Sequence, residues 1–146
     1  MKQYKLFILD LDGTLYRGSE PINEARPFME ELKRRGQDHV FLTNNSTKTP
    51  EDVRAHLARF GIEADPRRVY TTSMMTARFI VARKKEPLVY VVGEKALRDA
   101  LTEAGCQLVE EEDQLKRCDF VVVGLDRQVT YEKLAKAAIA IREGAT

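Results

Sequence analysis

The sequence predicts an α/β protein in which parallel strands alternate with helices. Short, fully apolar runs occupy residues 6–9, 40–42 and 120–123. Runs of this length are typical of strands buried on both faces of a parallel sheet. The segments between them carry apolar residues at the helical period, and this alternation predicts crossover helices joining neighbouring parallel strands.

The first half of the chain predicts three strand–helix pairs. The second helix has the clearest start, because Thr49 can cap it, Pro50 suits the first helical position and Asp52 completes a capping-box spacing. The three predicted strands lie at 6–9, 40–42 and 69–71, and the helices begin near Asn23, Thr49 and Ser73.

A charged, proline-ended stretch at residues 83–87 predicts a domain boundary, with one domain at 1–85 and a second at 86–146. Beyond the boundary the alternation resumes. Strands are predicted at 88–92 and 120–123, and helices at 94–104 and after Thr130. A crossover helix normally leads to another strand, but the chain stops two residues after Gly144. We therefore expect the second domain to be cut off within its fold.

The composition is that of an ordinary globular chain of 146 residues. Its 24 basic and 23 acidic side chains nearly cancel, which gives no electrostatic case for binding nucleic acid or an anionic membrane. No apolar run reaches the ~18 residues of a membrane span, and we expect a cytoplasmic protein. Cys106 and Cys118 lack metal-site spacing, so buried, unreactive thiols are predicted.

The strongest chemical signal is the segment Asp10–Thr14, directly after the first predicted strand. Two carboxylates at i and i+2 of an extended segment point to the same side, and at the carboxyl end of a parallel strand they would face a ligand crevice. Their repulsion favours a shared hard cation such as Mg²⁺. Gly13 would let backbone N–H groups approach an anion. The alternative is a simple turn, since Asp and Gly are common turn residues.

A second polar segment, Thr43-Asn44-Asn45, follows the second predicted strand. The Thr43 hydroxyl and the backbone N–H groups near Asn44 could bind phosphate oxygens. The alternative is that the side chains merely cap the local backbone. Because neighbouring parallel strands end at the same edge, the two segments together favour one phosphate-binding crevice.

These two segments resemble motifs I and II of the haloacid dehalogenase superfamily, and further short segments resemble its NagD-like, p-nitrophenylphosphatase branch. The resemblance covers essentially the whole chain. It implies a Rossmann-like parallel-sheet core with the beginning of an inserted α/β cap. The additional matching segments are Leu15–Gly18, Val91–Lys95 and Val122–Arg127.

The resemblance also implies roles for the matching residues. Asp10 would be the nucleophile that forms an aspartyl-phosphate, and Asp12 the general acid and then base. Mg²⁺ would bind the Asp10 carboxylate and the Asp12 backbone carbonyl. The substrate would be a small phosphorylated metabolite. The expected phosphate-binding residues are Leu11, Gly13, Thr43, Asn44 and Asn45.

The sequence departs from the family because the motif III lysine and motif IV acids come later than residue 146. The resemblance thus implies an incomplete phosphatase with weak or no turnover by itself. Two alternatives stay open. One is a non-catalytic truncated module that self-associates through unfinished sheet edges. The other is a phosphotransferase or phosphomutase that uses the same nucleophile.

Overall fold

The computed structural model describes residues 4–146, which divide into two compact units. The first unit comprises the residues up to Asn44 together with Lys48–Thr71, and the second comprises Asn45–Thr47 together with Thr72–Thr146. Each unit contains a three-stranded parallel sheet. The predicted α/β class is therefore confirmed. The main division between the two units comes after Thr71, earlier in the chain than the domain boundary expected at residue 85. That boundary stays a prediction.

The first unit contains the sheet that carries the acidic segment. Its strands pair in the order β1-β4-β5, with Asp10 opposite Leu42 and Thr43 opposite Thr71. A short hairpin of β2 and β3 follows the acidic loop. The elements are β1 Phe7–Asp10, β2 Tyr16–Arg17, β3 Glu20–Pro21, α1 Ala25–Arg34, β4 His39–Thr43, α2 Pro50–Ala58, a 3-10 turn Pro66–Arg68 and β5 Val69–Thr71.

Burial alternates along the strands of this first sheet. Leu9 and Phe41 are buried among residues of α1 and α2, whereas Ile8 is 64% exposed and Leu42 is 46% exposed. Successive side chains of a strand point to opposite faces, so only one face of the sheet is covered. The prediction of a first strand buried on both faces was therefore wrong. The apolar run does form a strand, but α1 and α2 pack against only one face of its sheet.

The predicted start of α2 is confirmed. The Thr49 hydroxyl accepts a hydrogen bond from the Asp52 N–H at 3.1 Å, and the Asp52 carboxylate accepts one from the Thr49 N–H at 2.9 Å. This reciprocal capping satisfies two N–H groups that the first helical turn leaves unpaired. The helix α2 therefore begins at Pro50, shortly after the polar segment that follows β4.

The second unit has three layers. Its sheet has the order β7-β6-β8, and β6 is buried on both faces. Val89 and Val91 pack in the cluster that includes residues of α3 and α4, while Tyr90 and Val92 pack with residues of α6. The elements are α3 Thr72–Val81, β6 Leu88–Val92, α4 Lys95–Glu103, β7 Gln107–Leu108, α5 Glu112–Leu115, β8 Phe120–Val123 and α6 Tyr131–Arg142.

After α6 the chain returns to the sheet. The Thr146 N–H donates to the Asp119 carbonyl at 3.0 Å, and the Val121 N–H donates to the Thr146 carbonyl at 2.9 Å.

Cys106 and Cys118 are buried free thiols, as predicted, and burial raises the pKa of both. Within residues 4–146, we find no helix with the length and apolar character required to cross a bilayer.

Candidate active site

The two acidic side chains lie at the carboxyl end of β1, on either side of a buried anchor. Asp10 is the last residue of β1, and both Asp10 and Asp12 are exposed, whereas Leu11 between them is 0% exposed. This is the alternation expected for an extended segment with one face on the core. Burial of Leu11 thus fixes the backbone that presents both carboxylates to solvent.

The loop after Asp12 is closed by backbone hydrogen bonds. The Gly13 N–H donates to the Tyr16 carbonyl at 2.7 Å, and the Leu15 N–H donates to the Leu11 carbonyl at 2.9 Å. Gly13 has a φ of +85°, a conformation that costs other residues conformational energy. Because its own N–H is used within the loop, Gly13 contributes backbone shape here.

Two hydroxyl-bearing side chains, Thr14 and Tyr16, follow the acidic pair in the sequence. The Thr14 Oγ1 donates to Asp10 Oδ2 at 3.4 Å. The Tyr16 side chain, which follows the loop in β2, is 1% exposed, and burial, followed by the negative charges of Asp12 and Asp10, raises the pKa of Tyr16 to about 12. The phenol therefore remains protonated at neutral pH. Sequence reasoning assigned no role to either hydroxyl, because Thr and Tyr at these positions carry no distinctive spacing.

The second polar segment begins on the neighbouring strand. Because Asp10 pairs with Leu42, the strand ends that carry Asp10 and Thr43 lie side by side. Asn44 is exposed, whereas Thr43 is 3% exposed and belongs to the covered side of the strand. Thr71, which ends the third strand opposite Thr43, is 1% exposed. Two threonines thus lie at the carboxyl end of this sheet, and only the first was singled out from the sequence.

The side chains of Asn45 and Ser46 have structural partners. The Asn45 Oδ1 accepts from the Thr47 N–H at 2.8 Å and from the Thr47 hydroxyl at 2.9 Å. The Ser46 Oγ, which is buried, accepts from the Leu125 N–H at 3.1 Å. Local capping, the alternative raised for this segment, therefore describes the side-chain oxygen of Asn45.

The oxygen atoms presented at the end of β1 are of the type that binds Mg²⁺. Mg²⁺ prefers oxygen ligands, and it is commonly held by one or two carboxylates while keeping waters and binding substrate phosphate. The Asp10 carboxylate and the Asp12 carbonyl supply such oxygens on an exposed loop. Among residues 4–146, no three His, Cys, Asp or Glu side chains are grouped closely enough to hold a metal ion. These residues can therefore form only part of a coordination shell.

The charged residues that follow the strands of the second unit are paired with each other. Arg127 donates to both oxygens of Glu94 at 2.7 Å, which lowers the pKa of Glu94 to about 2. Lys133 donates to Asp126 at 2.6 Å and lowers the pKa of that carboxyl. These pairs fix the two loops at the carboxyl ends of β6 and β8.

Several proteins to which this chain is similar are named phosphatases. A family model described as haloacid dehalogenase-like hydrolase matches residues 7–107. The chain is 48% identical over 145 residues to the 5'-nucleotidase YutF of Bacillus subtilis, covering 99% of this chain and 55% of that protein. It is 46% identical over 146 residues to an acid sugar phosphatase of Staphylococcus aureus, covering 100% and 55%. The chain thus spans about half the length of the curated relatives it matches.

Solved structures agree with these sequence matches. A thermostable NPPase double mutant from Geobacillus stearothermophilus superposes with a TM-score of 0.90 at 42% identity, covering 100% of this chain and 56% of that one. A glycerol phosphate phosphatase from Mycobacterium tuberculosis, in complex with magnesium, superposes with a TM-score of 0.85 at 33% identity, covering 96% and 41%. With its acidic loop on β1, its parallel sheets and a family match over most of its length, the chain belongs to the haloacid dehalogenase-like hydrolases.

Proposed function

We propose that this chain carries the nucleophile-bearing part of a Mg²⁺-dependent phosphate monoester hydrolase. The observation that carries the proposal is the pair of exposed carboxylates, Asp10 and Asp12, held at the end of β1 by the buried Leu11. Named phosphatases among the relatives support the reaction class. The proposed substrate is a small phosphorylated metabolite.

In the proposed reaction the Asp10 carboxylate attacks phosphorus and the ester oxygen leaves. The P–O bond to the alcohol breaks as the bond to Asp10 forms, and Asp12 gives its proton to the departing oxygen. Asp12 then takes a proton from water, which attacks the aspartyl-phosphate and releases phosphate and free Asp10. Bound Mg²⁺ would neutralise charge on the phosphoryl group.

The backbone N–H of Leu11, in the loop that Gly13 shapes, is proposed to hold phosphate oxygens together with Thr43 and Asn44 on the neighbouring strand end. N–H groups at strand ends are suited to bind anions. Residues 1–146 hold no counterpart at the matching position for the lysine and acids that the family resemblance implies, so we expect weak turnover from this chain by itself.

The test is a chimera that joins this chain to the remainder of the Bacillus subtilis relative. With Mg²⁺ it should hydrolyse p-nitrophenyl phosphate, and Asp10→Asn should abolish the activity because an amide cannot act as the nucleophile. Asp12→Asn should leave the fold intact and lower turnover. Retained activity in Asp10→Asn would contradict the nucleophile assignment. Phosphate transfer to an added alcohol in preference to water would favour the phosphotransferase alternative.

Self-association is a second candidate role, favoured by the uncovered face of the first sheet. Ile8 and Leu42 are apolar and 64% and 46% exposed on that face. Exposed, contiguous apolar surface often marks an interaction site, and a second copy of the chain would cover it. Light scattering after size exclusion distinguishes the cases. A stable monomer at high concentration would exclude this role.

A further inference from the structure

Ser46 is a buried serine in the polar segment that follows β4. It is 8% exposed and lies in Asn45–Thr47, a segment that belongs to the second unit. Its Oγ accepts a hydrogen bond from the Leu125 N–H at 3.1 Å, and its carbonyl accepts one from the Ser73 hydroxyl at 3.1 Å. Leu125 follows β8, whereas Ser73 lies in α3. Hydrogen bonds from two separate parts of this unit therefore hold Ser46.

The backbone at Gly124 approaches Ser46 so closely that a side chain would not fit between them. A Cβ at Gly124 would lie 2.9 Å from Ser46 Oγ and 2.8 Å from Leu97 Cδ2. Gly124 does not have a positive φ, so the glycine serves here to leave space. Its N–H donates to the Val92 carbonyl at 2.8 Å, which ties it to β6. The second unit therefore packs tightly against Ser46 at the carboxyl end of β8.

The segment around Ser46 also has hydrogen bonds within itself. Thr47 donates both its N–H and its hydroxyl to the Asn45 Oδ1. Side-chain bonds of this kind restrict the local backbone. Asn44, which is proposed to hold phosphate, is joined to Asn45 by a planar peptide bond. A fixed position of Asn45–Thr47 therefore limits the orientations that are open to Asn44.

We propose that Ser46 is the positioning residue for the segment that follows Asn44, and that phosphate affinity depends on its hydrogen bond with Leu125. The two bonded residues are 79 positions apart in the chain. A substitution after β8 would therefore alter phosphate binding without removing a phosphate-binding group. The anchoring of Ser46 follows from the contacts described above, whereas its effect on phosphate affinity rests on the proposed function.

Gly124→Ala and Gly93→Ala form a matched pair for the test. A Cβ at Gly93 would lie 2.7 Å from Leu97 Cδ2, and its next contacts are with Leu97 Cγ and the Gly124 nitrogen. Both variants therefore crowd Leu97, but only Gly124→Ala also crowds the Ser46 hydroxyl. Ser46→Ala is a third variant, which removes the hydroxyl acceptor without adding an atom.

The first measurement is amide hydrogen exchange, followed by NMR in the 146-residue chain. Exchange at the Leu125 N–H is compared with exchange at the Val109 N–H, which is bonded elsewhere in the same unit. This comparison corrects for a general loss of stability. In Ser46→Ala the Leu125 N–H loses its acceptor and should exchange about 10-fold faster relative to Val109. Gly124→Ala should act in the same direction, and Gly93→Ala should leave the ratio unchanged.

The same exchange ratio in wild type and Ser46→Ala would overturn the proposal, as would an equal increase in Gly93→Ala. If Gly124→Ala fails to fold, Ser46→Ala decides the question, because it adds no atom to the packed contact.

The second measurement titrates inorganic phosphate in the presence of Mg²⁺ and follows the Asn44 amide signal. Ser46→Ala and Gly124→Ala should weaken the apparent affinity by about 5-fold or more, whereas Gly93→Ala should not. Equal affinities in wild type and Ser46→Ala would overturn the link between this hydrogen bond and phosphate. Absence of binding by the wild type would contradict the proposed function and that link with it, while the exchange measurement decides the anchoring separately.

Discussion

The imidazole of His56 meets the Tyr16 ring edge to face, with 4.5 Å between centroids and 81° between planes. The His56 Nε2 also lies 3.2 Å from the Gly18 carbonyl oxygen. Burial, followed by the nearby Lys48 ammonium, lowers the pKa of His56 from its usual 6.5. The residue that packs the tyrosine is thus held neutral at physiological pH, although His56 shows no catalytic spacing in the sequence.

We expect His56 to make stability depend on pH. Its pKa is lower in the folded state, so the unfolded chain binds the proton more readily and the free energy of unfolding falls as pH drops below 6.5. His56→Phe keeps an aromatic ring but cannot titrate, and should show a shallower loss between pH 7 and about 5. Urea unfolding at both pH values measures this. An equally steep loss in the variant would contradict it.

The turn at Gly13 should depend on its backbone conformation. No heavy atom lies within 4 Å of a Cβ built at this glycine, so Gly13→Ala introduces strain from a φ of +85° without a steric clash. We expect destabilisation of about 1–2 kcal/mol. Gly13→Asn should cost less, since Asn tolerates positive φ better. Equal unfolding midpoints for wild type and both variants would show that the turn relaxes.

Leu11 and Leu42 form a matched pair for testing the anchor between the two aspartates. Leu11 is 0% exposed, whereas Leu42, opposite Asp10 on β4, is 46% exposed. Leu11→Ala should lower the free energy of unfolding by about 2–5 kcal/mol, as for other buried leucines. Leu42→Ala should change it by about 0.5 kcal/mol or less. Similar losses in the two variants would mean that the uncovered sheet face is covered in solution.

The elements with strong local signals were predicted well from the sequence. Strands β5, β6 and β8 have the predicted bounds, and the Thr49 cap was readable from residue spacing alone. The strands β2, β3 and β7 were missed because two-residue strands carry no periodicity. The exposure of Ile8 was missed because the sheet face on which helices pack is decided by tertiary structure.

In the candidate site, too, some residues could be predicted from the sequence and others depend on tertiary structure. Asp10, Asp12 and Thr43 could be singled out because each comes at or just after the end of an apolar strand. The burial of Tyr16 beside this loop could not be foreseen, because it depends on how His56 of α2 packs against the tyrosine ring. Sequence spacing also could not show that the Asn45 side-chain oxygen is occupied by Thr47.

The Glu94–Arg127 pair should contribute to acid stability in the second unit. The bonds from Arg127 lower the pKa of Glu94 to about 2 from an ordinary 4.5. Its contribution is therefore fully present above 4.5 and lost as pH falls towards 2. As the pH falls from 4.5 towards 2, the free energy of unfolding should decrease less in the Arg127→Met variant than in the wild type. High salt should reduce this difference between the two proteins. Unfolding curves at three pH values test this, and parallel declines would contradict it.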